Sequence, residues 1–337
     1  MRNIYDLTIK ELEDYFISIN EKKFRAVQVY EALYKRRIKS FDDMTNISKE
    51  VREKLKQDFS FYKIKMLIKQ QGKNVNKYLF ELEDGNKIES VLMFHDYGTS
   101  ICVSSQVGCN MTCAFCESGR LKKVRNLLAY EIVQQILQIE EDINKRITHV
   151  VLMGIGEPFD NYDNVLRFVK IINCGKGIDI GSRHITISTC GVIPGIKKFM
   201  NEEGQVNLAI SLHAPNDNLR SRIMPINKAY PLNELMETIK EYINKTNRRV
   251  TFEYIMLDNV NDSEENAKEL ALLLKGINCY VNLIPYNETE NIEFKRTKEW
   301  KIMKFYDILK KNKINVTIRK EFGGSVDAAC GQLRANN

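Results

Sequence analysis

Ile101-Cys-Val-Ser-Ser-Gln-Val-Gly-Cys-Asn-Met-Thr-Cys-Ala-Phe-Cys116 begins as an apolar strand, Ile101 to Ser105, and runs into a short loop carrying Cys109, Cys113 and Cys116. The same step recurs down the chain. Strands are predicted at His149 to Met153, His184 to Ser188, Asn207 to Leu212, Arg249 to Met256 and Tyr280 to Ile284. Helical stretches such as Tyr130 to Glu141, Leu232 to Asn244 and Ser263 to Leu274 fall between them. Repeated βα units predict a parallel sheet with helices outside, and Asn315 to Ile318 offers a seventh strand. Six or seven units are too few to close an eight-stranded barrel, so the pattern predicts an α/β fold of the partial (β/α)6 TIM-barrel type.

Upstream, Leu12, Tyr15, Phe16, Ala26, Val29, Leu33, Val51 and Leu55 recur at spacings of three and four, which predicts a small helical domain over residues 1–60. Ser48 is a candidate N-cap for its last helix. Residues 61–97 change to alternating runs such as Lys77-Tyr-Leu-Phe-Glu-Leu82 before Asp84-Gly85, predicting a short antiparallel β connection. Residues 98–337 then form the barrel domain.

Of the 337 residues, 43% are hydrophobic and 28% charged, a globular balance, and no apolar run reaches the ~18 residues of a membrane span. The amphipathic, acidic start MRNIYDLTIKELEDYF lacks the apolar core of a secretory signal, so a cytoplasmic location is expected. In that reducing compartment the 8 cysteines point to metal or catalysis rather than to a disulfide scaffold. Residues 1–80 hold 18 basic and 11 acidic side chains, and so carry the chain's whole excess of +7. That placement fits a polyanion-binding end or a solvated charged face.

The chemistry-bearing residues follow the strands. After the first come the three cysteines, and after the second Gly154-Ile-Gly156-Glu157-Pro158. Ser188-Thr-Cys190-Gly ends the third, Ser211-Leu212-His213 the fourth and Pro285-Tyr-Asn287 the sixth. Active sites of parallel βα folds sit at these strand ends. Three thiolates in one loop fit a cubane cluster with one open iron or, given a fourth ligand, a zinc site. Read alone, Glu157 is also compatible with an exposed turn acid, and His213 with a strand-end histidine satisfied by backbone.

The Cys-x3-Cys-x2-Cys loop, with Phe115 before its third cysteine, resembles that of the radical S-adenosylmethionine enzymes. The resemblance implies a [4Fe-4S] cluster on Cys109, Cys113 and Cys116, its open iron chelated by the methionine part of S-adenosylmethionine. It also implies that Gly156 and Glu157 receive the methionine ammonium, and that Ser188, Ser211, Leu212, His213 and Asn287 line the rest of the cofactor. A more specific likeness spans nearly the whole chain. Cys102-Val-Ser-Ser-Gln-Val-Gly-Cys109, Met153-Gly-Ile-Gly-Glu-Pro158, Ser211-Leu-His-Ala-Pro-Asn216, Tyr254-Ile-Met-Leu257, Val260-Asn-Asp262 and Asp327-Ala-Ala-Cys330-Gly-Gln-Leu333 resemble the RlmN/Cfr family of RNA adenine methyltransferases.

That family implies an RNA-binding amino-terminal domain, with Arg25, Lys35, Arg36, Arg37 and Lys39 as candidate phosphate contacts. Adenine C2 and C8 are electron-poor carbons, so a methyl group cannot reach them by simple displacement. In the implied mechanism Cys330 becomes S-methylcysteine using one S-adenosylmethionine, and a second supplies a 5′-deoxyadenosyl radical that activates that methyl group. Cys102 then resolves the covalent adduct as a disulfide with Cys330, while Glu89 takes the ring proton. Without the resemblance, Glu89 reads as a solvated strand acid, and Cys102 and Cys330 as buried apolar residues. Cys174, Cys190 and Cys279 are expected to pack as small hydrophobes, Cys190 least securely because it ends a strand beside Ser188.

One departure stands out. Glu117 follows Cys116 where the family usually has a small residue, which puts a negative charge beside the cluster. The basic run Arg120 to Arg125 is expected to meet RNA phosphates or to face solvent. The resemblance favours C2 methylation of adenosine in 23S ribosomal RNA at the peptidyl transferase centre, with transfer RNA as a second substrate. C8 methylation, with ribosomal antibiotic resistance, is the alternative; other readings are a radical enzyme with another substrate and a metal-containing RNA-binding module. The chemistry implies a reducing partner such as flavodoxin or ferredoxin, and a monomer is the default expectation.

Overall fold

In the computed structural model, residues 1–319 and the pair Gln332 and Leu333 are described. Three helices open the chain, α1 (Ile9–Ser18), α2 (Phe24–Tyr34) and α3 (Lys49–Asp58). α1 begins at Thr8 because Thr8 and Glu11 accept from each other's backbone N–H groups, which the helix itself leaves unpaired. α3 begins at Ser48 as predicted, with Ser48 Oγ accepting from the Val51 N–H at 3.4 Å. The strand Arg2–Asn3 pairs in parallel with Phe59–Ser60 and ties the start of this unit to its end.

The chain then alternates. The antiparallel run is β1 (Lys65–Gly72), β2 (Val75–Glu81), β3 (Lys87–His95) and β4 (Gly98–Cys102). There follow α4 (Ala129–Ile143), β5 (His149–Leu152), α5 (Tyr162–Ile172), β6 (Ile185–Thr189), α6 (Ile193–Phe199) and β7 (Asn207–Ser211). The last part comprises α7 (Asp217–Ile223), α8 (Leu232–Thr246), β8 (Val250–Met256), α9 (Glu264–Leu273), β9 (Cys279–Pro285), α10 (Glu299–Lys311) and β10 (Val316–Ile318). One ten-stranded sheet holds β1 to β10 in consecutive order. From β4 to β10 all neighbours are parallel. A doubly wound sheet would reverse its order midway; this sheet does not, so it is an open barrel.

The segment 61–97 is antiparallel as predicted, and it extends the barrel wall as well as connecting. β3 pairs with β4 from Val91↔Cys102 to His95↔Gly98. The first barrel strand ends at Cys102, earlier than predicted. Beyond it the Val103 and Ser105 N–H groups still follow the next strand, donating to the carbonyls of Val151 and Ile155. α5 buries Val165, Phe168, Val169 and Ile172, the apolar stripe of an amphipathic helix, whereas α4 is buried on most of its surface, polar Glu131, Gln134 and Gln135 included.

The helical unit packs on α4 and α5, and one apolar core runs through both parts. Tyr30 donates to the Ile171 carbonyl at 3.4 Å, Arg37 pairs with buried Glu140, and Arg167 pairs with Glu11. Among the described residues no helix is long and apolar enough to cross a membrane.

Candidate active site

The loop after β4 carries the three cysteines at the carboxyl ends of the barrel strands. It is pinned at intervals: the Cys109 N–H donates to Leu121 O, the Ala114 N–H to Ile223 O, and the Cys116 N–H to Cys113 O. All three thiols line one cavity with Gly156, Glu157, Ser188, Ser211 and His213. Burial pushes the Cys109 thiol up to about 12 and Cys113 well above the ordinary thiol range, and neighbouring negative charge adds to both. Three such thiols become thiolates together only if bound cations offset their repulsion. Among the described residues no group of three His, Cys, Asp or Glu side chains is drawn together round a single point. A cubane takes each thiolate on a different iron, so three thiols spaced round one cavity suit it.

The turn after β5 forms the facing wall. A Cβ on Gly156, whose φ is +108°, would come within 2.6 Å of the Gln106 side chain, so only glycine fits. Gln106 in turn accepts from the Glu157 N–H at 2.9 Å and donates to Asn126 Oδ1 and Asp160 Oδ2. Glu157 is 3% exposed, which removes the exposed-acid reading. Its carboxylate accepts from the N–H groups of Phe159 at 2.9 Å and Cys190 at 2.8 Å. Burial raises this carboxyl, and those two donors act the other way.

Ser188 and Ser211 end neighbouring strands with their hydroxyls 3.5 Å apart. His213 has a left-handed backbone, φ +60°, and its Nδ1 accepts from the Ile255 N–H at 3.0 Å. The backbone-satisfied reading of this histidine therefore holds for one ring nitrogen, while the ring still lines the cavity. Burial, aided by the charge of Arg220, pushes His213 down to about 3, so the ring is neutral and carries its hydrogen on Nε2. The Phe115 ring meets it edge-on at 4.8 Å. Leu212 is a core side chain outside the cavity lining, and half-buried Asn287 also lies outside it.

Several residues of this cavity escaped the sequence reading. Cys190 lines it rather than simply filling the core. Glu253 also lines it, 5% exposed, with Oε2 accepting from Asn282 Nδ2 at 2.8 Å. Ser211, Glu253 and Asn282 are register partners on β7, β8 and β9, so they form a polar row across the barrel. A charged residue inside Val250-Thr-Phe-Glu-Tyr-Ile-Met256 was the available signal. Arg220 offered none, since on α7 it looks like a surface arginine. It is fully buried and donates to Cys190 O at 2.7 Å, Asn227 Oδ1 at 2.9 Å, Leu212 O at 3.2 Å and Ser211 O at 3.3 Å.

A second cavity adjoins the first. It is lined by Ile68, Lys77, Leu79, Glu89, Glu117 and Gln332, among others. Residues 116–118 are shared wall: Cys116 and Ser118 line the first cavity and Glu117 the second. Glu89 is buried, not solvated, and pairs with Lys77 Nζ at 2.8 Å. Glu117 is also buried, with Asn291 Nδ2 at 3.4 Å and Arg120 Nε at 4.0 Å. Cys102, at the end of β4, packs with Val75, Val91, Met93, Ile155 and Leu333. Cys330 lies outside the described residues.

The basic run is largely spent inside the molecule. Lys123 pairs with Asp160 at 2.7 Å, Arg125 with Asp84 and Glu131, and Arg120 donates to the Asn291 carbonyl. Among the candidate phosphate contacts, Arg37 is committed to Glu140 and Arg25 bonds Gln28 and the Asn46 carbonyl; Lys35, Arg36 and Lys39 are exposed, Lys35 pairing with Glu31 and Arg36 donating to Asn46 Oδ1 at the surface.

Comparison with known proteins gives two family matches. Residues 2–60 match the ribosomal RNA large subunit methyltransferase N-terminal domain, RlmN_N, and residues 103–271 match the radical SAM superfamily. A "probable dual-specificity RNA methyltransferase RlmN" of Spiroplasma citri is 53% identical over 341 residues, covering 100% of this chain and 98% of that protein. The protein of the same description from Enterococcus faecalis is 54% identical, covering 99% and 96%. The crystal structure of a radical SAM methyltransferase from Sphaerobacter thermophilus superposes with a TM-score of 0.94 at 41% identity, over 100% of both chains.

Proposed function

The chain belongs to the RlmN family of radical SAM methyltransferases, and from that premise we propose that it methylates C2 of adenosine in 23S ribosomal RNA and in transfer RNA. The observation that carries this reading is the pair of adjoining cavities, one ringed by the cysteines and the Gly156-Glu157 turn, the other holding the buried carboxylate of Glu89. Cys109, Cys113 and Cys116 would hold a [4Fe-4S] cluster, and the same cavity would take S-adenosylmethionine. When bound, the cluster supplies the electron that opens radical chemistry on S-adenosylmethionine.

The chain's own residues do the rest. Glu157, its carboxylate fixed by two backbone donors, offers its remaining lone pairs to the cofactor's ammonium. His213 offers a neutral Nε2–H, and Ser188 and Ser211 offer hydroxyls. Arg220 fixes the carbonyls behind them. In the second cavity the carboxylate of Glu89, held by Lys77 Nζ, is the group placed to accept the ring proton. Cys330 is the methyl carrier and Cys102 the resolving thiol in this reading. The reaction consumes two S-adenosylmethionine molecules and draws electrons from a flavodoxin or ferredoxin in the cytoplasm.

Mass mapping of modified adenosines in ribosomal and transfer RNA, from cells with and without this protein, tests the reading. The expected result is 2-methyladenosine that disappears with the gene. Gene-dependent 8-methyladenosine would replace C2 by C8.

A further inference from the structure

The chain has a single tryptophan, Trp300, and it is 56% exposed. It stands in the first turn of α10, whose buried side chains are Ile302, Phe305 and Leu309, so the indole lies off the stripe that the helix buries. Lys304 Nζ sits 5.4 Å from the ring centroid and covers one face. An indole this exposed does not have both faces covered, so a flat surface is left open to solvent. Around it, residues 293–304 hold 5 basic and 2 acidic side chains, and Lys295, Arg296 and Lys298 are exposed.

Trp300 also forms one wall of a surface cavity completed by the loop after β8 and the start of α9, with Asn259, Asp262 and Asn266 among its polar groups. The acids there are already matched: Lys301 Nζ holds Asp258 at 2.8 Å and Asp262 at 3.3 Å, and Lys304 holds Glu264 at 3.1 Å. The Asp258 N–H donates to the Lys295 carbonyl at 2.9 Å, which ties the basic loop after β9 to the same floor. The active site is close along the chain. Buried Asn261, one residue before Asp262, donates to the His213 carbonyl at 2.8 Å, and Glu288 to Asn291 of the loop after β9 line the second cavity.

We propose that Trp300 stacks on an unpaired base of the substrate RNA, with Lys298 meeting a phosphate beside it. The proposal rests on the reading of RNA as the substrate. Every nucleobase has a π-face, so stacking on an indole needs no particular sequence, and loops, bulges and single strands offer that face whereas the interior of a duplex does not. The amino-terminal unit packs on α4 and α5, which follow the first two parallel strands, and α10 follows β9 at the other end of the run. The strand ends that carry the site lie between these two contacts, so RNA held by both spans the cavities.

The lone tryptophan supplies its own signal. Full-length holoenzyme is titrated with a fragment of 23S ribosomal RNA spanning the peptidyl transferase centre, and intrinsic emission is followed alongside binding measured by filter retention. Emission is expected to be quenched in step with binding, and to stay unchanged when a fully paired RNA duplex of equal length is bound. Trp300→Ala is expected to weaken binding of the fragment about tenfold, and Trp300→Phe to keep most of it. Lys298→Gln should flatten the dependence of log K on log salt by about 1. Thermal unfolding shows whether each variant folds, and Trp300→Gln replaces Trp300→Ala if the latter does not. Constant emission while the fragment binds, or an unaltered affinity in Trp300→Ala, overturns the proposal and leaves the RNA reading standing. A Trp300→Ala variant that loses flavodoxin binding or self-association, but not RNA affinity, assigns this face to a protein and overturns it as well. Mass mapping of 2-methyladenosine tests the RNA reading separately, and a fragment that never binds wild type removes both.

Discussion

Arg220 holds together the ends of two strands that the sheet itself cannot tie. The carbonyls of Cys190, Ser211 and Leu212 lie at or beyond the ends of β6 and β7, and one planar guanidinium reaches all three. A lysine, with one ammonium, cannot reproduce that fork. Arg220→Met leaves buried carbonyls unpaired, an expected cost of about 3 kcal/mol or more, seen as a fall in Tm of roughly 4 °C or more. Equilibrium dialysis should show S-adenosylmethionine binding about tenfold more weakly, because Ser211 and Cys190 lose their support. Arg220→Lys should not restore it; full restoration would mean the fork geometry is not needed. The role of Arg220 was illegible in the sequence, since a lone arginine in Asp217-Asn-Leu-Arg-Ser-Arg-Ile223 carries no sign of burial. Glu157 was legible because the glycines before it demand a turn that few other loops need.

At the scale of elements, α1 docks on α5 through Glu11. Burial alone would raise this carboxyl, but hydrogen bonds from Arg167, from the Thr8 N–H and from Arg2 outweigh it and hold Glu11 at about 2. Its folded value lies below the ordinary 4.5, so its stabilising contribution is present above that value and is lost as pH falls towards 2. Glu11→Gln is expected to lower Tm at pH 7 by about 1–2 °C, on the order of 1 kcal/mol for a half-exposed pair. Thermal unfolding of wild type and variant should converge between pH 4.5 and 2; parallel curves would remove Glu11 from the docking contact. The helix start at Ser48 follows from a local side-chain-to-backbone bond and was read from the sequence; Thr8 caps α1 by the same kind of bond, although the sequence reading did not name it. The partner of β3 does not follow from its own residues, because alternation marks the buried face of a strand and says nothing of the edge it joins.

Across the whole molecule the positive excess sits at the amino-terminal end, and folding sorts its members. Arg37 is committed to Glu140, while Arg36 and Lys39 stay exposed. The double variant Arg36→Glu, Lys39→Glu should weaken RNA binding and flatten the dependence of log K on log salt by about 2. Binding of S-adenosylmethionine should be unmoved, and an unchanged salt slope would place the RNA elsewhere. The sequence by itself determined the order of strands and helices, the cysteine loop, the glycine turn and the location of the charge excess, because each is written within a few neighbouring residues. Only the tertiary structure decided that β1 to β3 extend the barrel wall, that Glu89 is buried in a cavity beside the cysteine loop, and that Glu253 lines the cysteine cavity while Arg220 fixes carbonyls behind it. Those outcomes depend on which distant surfaces meet when apolar faces are buried, and no local period of the chain encodes that choice.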